Sequence, residues 1–120
     1  MVLQIAAALL VAIALAHSLL GERYILRRLF RRGELPRLYG SDRFTRRTLR
    51  FAWHLTSVAW LGFAALLVVQ SPRPEPDGAL LAVVAATFLA HAVITAVASR
   101  GKHFAWPVFL AIAVLCWLAA

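Results

Sequence analysis

The chain has 120 residues, of which 62% are hydrophobic and 15% charged, with a mean hydropathy of +0.79 and a formal net charge of +8. That length holds one domain at most, and the hydropathy excludes an ordinary soluble globular domain. The lone Cys116 excludes an internal disulfide and reads as a packing residue.

Four stretches carry no Asp, Glu, Lys or Arg: residues 2–21, 51–71, 78–99 and 103–120. At about 1.5 Å rise per residue each matches a hydrocarbon core of roughly 30 Å. The expected fold is all-α: a single transmembrane domain built as an integral membrane four-helix bundle, up-down-up-down, with a division into two parallel-repeat hairpins as one option. In the first stretch the arginines follow the apolar run, whereas a secretory leader carries positive charge before it, so the segment reads as a retained helix. Beyond Gly21, Ile25, Leu26, Leu29 and Phe30 recur at helical spacing among arginines, which predicts a basic amphipathic continuation stopped by Gly33 and Pro36.

Ten Arg and three acidic residues lie between Glu22 and Arg50. Arg27, Arg28, Arg31 and Arg32 are expected at the lipid headgroups, with anionic lipid as partner. Ser41 or Asp42 offers an N-cap for the segment entering the second helix. "SPRPEPDG" at 71–78 cannot continue a helix and forms the turn to the third helix, while "SRGKH" at 99–103 joins the third and fourth. Twelve of the thirteen basic residues thus share one side. The positive-inside rule makes that side cytoplasmic, placing both termini outside a bacterial-type cytoplasmic (inner) membrane. Topology accounts for the basic charge, and no nucleic acid is expected as a partner.

Two small-residue faces, Ala8-Ala12-Ala16 and Ala82-Ala86-Ala90, allow close approach of helices and a possible homodimer. Trp53, Trp106 and Trp117 read as interfacial anchors and Trp60 as mid-span packing. The tripeptide "LAH" occurs at 15–17 and 89–91, each time followed by "FAW", at 51–53 and 104–106, which suggests duplicated hairpins.

The histidines carry the functional expectation. Measured from the nearest charged boundary, His17, His54, His91 and His103 lie about 6, 6, 13 and 2 Å deep at 1.5 Å per residue. If the first and third helices are diagonal, His17 and His91 point at one another, as axial ligands of haem b or as ligands of a transition metal do. Ala14, Ala16, Ala90 and Gly62 would then make room, with Phe88 and Trp60 as walls and His54 in support. The alternative to haem is a mixed metal site of His17, His54, His91 and Glu22. Packing by hydrogen bonds to neighbouring helices is the competing structural reading, and His103, at a helix start, is the weakest candidate. No nucleophile arrangement or phosphate loop is present, so an enzyme is conceivable only through a bound cofactor.

In length and four-helix plan the chain resembles the small multidrug resistance exporters, which rely on a glutamate inside their first helix. No span here holds a carboxylate, and no residue is carried over. The multi-histidine plan is similar to membrane b-type cytochromes of the b561 kind. Their haem ligands lie on both sides of the membrane, whereas these gather on one side, so that similarity implies a single haem. The reading is a haem-binding or metal-binding electron-transfer or sensor protein. The alternatives are a small transporter or channel subunit, and an accessory scaffold whose basic loop binds lipid or a partner.

Overall fold

A computed structural model describes residues 1–120, and it is all-helical. Four helices account for most of the chain: α1 (Val2–Arg32), α2 (Arg43–Gln70), α3 (Gly78–Ala98) and α4 (Ala105–Leu118). The first three are long and apolar enough to cross a membrane. α4 is shorter than expected: its 14 residues span about 21 Å. The linker before it turns back through Arg100 and Gly101, whose φ angles are 51° and 74°. His103 and Phe104 are used up in that turn, and the His103 ring accepts from the Ala105 backbone N–H at 3.2 Å.

α1 continues past Gly21 as expected, through a π-helical turn at Gly21–Leu26, and ends where Gly33 adopts φ 72°. α2 begins well before its apolar stretch, at Arg43. Asp42 precedes it, but its carboxylate accepts from the Arg46 guanidinium (2.7 Å) rather than capping the helix. A second Arg46 nitrogen donates to the Phe30 carbonyl at 2.6 Å, and the Arg46 and Arg50 guanidiniums lie 5.5 and 5.0 Å from the Phe30 ring centroid. One buried phenylalanine thereby fastens the arginine-rich end of α1 to α2. At the other end of the molecule, Asp77 caps α3 by accepting from the Leu80 N–H at 3.0 Å.

α1 packs against α2 and α4, and α3 packs against α4. The core takes Leu3, Ala7, Leu10 and Ala14 from α1 and Leu81, Ala85, Phe88 and Ala92 from α3, with Trp60, Ala64 and Leu67 of α2 and Phe109, Ile112 and Cys116 of α4 between them. The inward stripes therefore differ from the alanine faces read in the sequence. Ala8, Ala12, Ala16, Ala86 and Ala90 are exposed, because the bulky Leu and Phe residues at three- and four-residue spacing take the inner face and rotate those alanines outward.

Candidate functional site: a polar run between α1 and α2

Near their arginine-rich ends, α1 and α2 bring together polar side chains spaced one helical turn apart. Ser18 and Glu22 share a face of α1, and Arg50, His54 and Ser57 share a face of α2. Across this contact His17 Nδ1 and Ser57 Oγ are 3.0 Å apart, the Ser18 hydroxyl donates to Ser57 at 2.7 Å, and His54 Nδ1 lies 2.9 Å from Ser18 Oγ. The other ring nitrogen of His54 is 3.4 Å from Glu22 Oε2. Glu22 also accepts two hydrogen bonds from Arg50, at 3.0 and 3.2 Å, and lies 3.5 Å from Arg27. The bidentate Arg50 pair is a charge-assisted contact with fixed geometry. His17, Ser57, Ser18, His54 and Glu22 thus form one unbroken hydrogen-bonded run from a half-buried imidazole to an ion pair at the surface.

The run is held in place by aromatic packing. The Trp53 indole stacks on the His17 ring at 4.6 Å with an interplanar angle of 6°, and its N–H donates to the His17 carbonyl at 2.9 Å. That carbonyl also accepts from the Gly21 N–H. A Cβ at Gly21 would overlap the Trp53 indole, so the close approach of α2 to α1 depends on that glycine. Trp60 meets the other side of His17 edge-on at 4.9 Å.

His91 stands apart from this run. Its Nδ1 lies 2.8 Å from the Thr87 carbonyl, which can only accept, so Nδ1 carries the proton. Its ring packs against Phe88 (5.2 Å) and Phe109 (5.3 Å), and the buried Trp60 stands 6.2 Å away. The same indole therefore flanks His17 and His91, in place of an open slot between their rings. Of the small residues expected to make room there, Ala16, Ala90 and Gly62 face outward. No three His, Cys, Asp or Glu side chains converge closely enough to hold a metal ion. The His103 ring bonds the Ala105 N–H at the start of α4 and is no part of the run.

Sequence reasoning singled out His17, His54 and Glu22 but missed Ser57 and Trp53 as members of the site. The available signal was the i, i+3 spacing of His54 and Ser57 within apolar surroundings. Trp53 was read as an interfacial anchor, and its indole N–H is instead committed to α1. The second "FAW" does not repeat this arrangement, because Trp106 donates to the local Gly101 carbonyl at 3.2 Å. No protein-family model, curated protein or solved structure matches the chain.

Proposed function

We propose that the chain is a small proton-coupled membrane transporter or channel subunit, with the run from Glu22 to His17 as its proton relay. The observation that carries this reading is the unbroken sequence of hydrogen-bonding groups from His54 to His17, each able both to donate and to accept, with the Glu22 carboxylate as an acceptor at its mouth. In this reading the four helices cross a cytoplasmic membrane up-down-up-down, with the arginine-rich loop inside and both termini outside. The short α4 is accommodated by local thinning of the bilayer and by Lys102 reaching back to the headgroups. Intramembrane ionisable groups are functional by default, since keeping them in lipid is costly.

The relay has two neutral bond orders. In one, His54 Nδ1–H donates to Ser18, Ser18 to Ser57, and Ser57 to His17 Nδ1. In the other every bond is reversed, and His54 Nε2–H donates to Glu22. A proton arriving at His54 Nε2 converts the first order into the second. Each group passes its own proton along, His17 gains a proton on Nδ1, and the proton on His17 Nε2 is free to leave. Charge and protons balance without any change in heavy-atom positions. Beyond His17 the core is lined by Ala14, Leu10 and Leu67, as far as the buried Gln70 at the last turn of α2. The polar run therefore reaches inward only from the arginine-rich side, which suits a gated carrier better than an open pore.

Reconstitution in liposomes containing a pH-sensitive dye tests the reading. An imposed potential is expected to drive proton uptake above that of empty liposomes. His54→Gln and Ser57→Ala are each expected to reduce it at least about tenfold, a size usual for loss of a positioned proton-transfer group, with His103→Ala unchanged. Uptake no faster than in empty liposomes overturns the relay. A sharp band in the reduced-minus-oxidised visible spectrum of the purified protein would instead move His17 and His91 to haem ligation.

A further inference from the structure

A second feature lies on the outer face of α2, where an open groove of about 690 Å³ runs along residues 43 to 58. Its residues recur at three- and four-residue spacing and so form one stripe of the helix. The stripe is divided. Arg43, Arg46, Arg47 and Arg50 occupy one end, and the exposed Phe51, Leu55 and Val58 occupy the other, with His54, whose ring bonds Ser18 of α1, among them. Arg46 is paired with Asp42 and Arg50 with Glu22, whereas Arg43 and Arg47 have no carboxylate within ion-pair distance. Four guanidiniums against two carboxylates leave a surplus of two positive charges beside an apolar track about 10 Å long at 1.5 Å per residue.

We propose that this groove binds an anionic glycerophospholipid, its phosphate held by Arg43 and Arg47 and one acyl chain lying along Phe51, Leu55 and Val58. This rests on the membrane reading given above. The charge boundary at Arg50 and Phe51 then coincides with the boundary between headgroups and hydrocarbon, so one molecule meets both halves of the stripe. A soluble phosphate uses only the basic half. The site is distinct from the basic residues 27–32 of α1, which belong to a different helix and do not line the groove.

Native mass spectrometry of the full chain in mild detergent tests the proposal, with titrations of phosphatidylglycerol, phosphatidylcholine and inorganic phosphate. Phosphatidylglycerol is expected to bind about thirtyfold more tightly than phosphatidylcholine, as befits two arginines near a headgroup. The double variant R43Q/R47Q is expected to lose that preference. R31Q/R32Q, which removes the same charge from α1, is expected to keep it. Leu55→Gln is expected to weaken lipid retention while leaving any phosphate binding alone. All three variants alter exposed side chains, and helicity by circular dichroism checks that they fold. Equal loss in the two double variants would reduce the effect to net charge and overturn the site. Absence of a headgroup preference, or phosphate competing as well as lipid, would overturn it too. A chain that stays soluble without detergent defeats the membrane reading before any lipid is added, so the two failures are separable.

Discussion

Gly21 has no room for a methyl group, because the Trp53 indole occupies the place where its Cβ would stand. Gly21→Ala must push Trp53 away, which loosens both its stack on His17 and its hydrogen bond to the His17 carbonyl. Overpacking of this kind costs about 1–3 kcal/mol, and thermal unfolding in detergent is expected to show a lower Tm. Ser57 is the most constrained polar residue of the run. It is buried and bonded to both His17 and Ser18. Ser57→Ala is expected to cost about 1–3 kcal/mol by stranding those partners and to interrupt proton uptake. His91 behaves differently, since its ring bonds only to a backbone carbonyl within its own helix and is otherwise walled by aromatic rings. His91→Phe is expected to leave proton uptake unchanged. A loss of uptake equal to that of Ser57→Ala would place His91 in the pathway.

The join between α1 and α2 depends on Arg46, which ties Asp42 at the start of one helix to the Phe30 carbonyl near the end of the other. The Arg46 hydrogen bond and charge hold the Asp42 carboxyl below its ordinary value of 3.8. A carboxylate depressed in the folded state stabilises the fold above its unfolded pKa, and that contribution disappears as pH falls through the folded value. Amide exchange in residues 33–42 is accordingly expected to accelerate, relative to its intrinsic rate, as pH drops below about 3.8. Asp42→Asn is expected to show the faster exchange already at neutral pH and to lose the acid response. The ends of these elements were legible where a residue forbids helix: Gly33 takes a positive φ, and the prolines of 71–78 mark a turn. The start of α2 was legible too, since Asp42 takes the N-cap position read there, although its carboxylate binds Arg46 rather than a backbone N–H. The inner faces of α1 and α3 could not be read from the alanine spacing. Alanine at four-residue spacing resembles a packing seam, but leucine and phenylalanine at interleaved positions bury more apolar surface and take the core.

At the scale of the molecule, hairpins α1–α2 and α3–α4 meet where α1 packs on α4, and Trp60 lies at their junction against His17, His91 and Phe109. The sequence suggested paired histidines across that junction, and periodicity alone gave no sign that a tryptophan would stand between them. The asymmetry of charge leads to the last prediction. Twelve of thirteen basic residues lie in the 22–50 segment, which comprises the end of α1, the start of α2 and their connection, and in the 99–103 link, while the 71–78 turn holds Glu75 and Asp77 against Arg73. Moving ten arginines across a bilayer is far costlier than moving this turn. In a Cys116→Ala background, which removes the buried native thiol, Glu75→Cys is expected to react with a membrane-impermeant maleimide in intact cells. Ser41→Cys is expected to react only after lysis. The reverse pattern would invert the protein and turn the mouth of the Glu22–His17 run to the outside. Reaction at both positions without lysis would mean that α2 does not cross at all, leaving His54 and Ser57 no membrane through which to pass a proton.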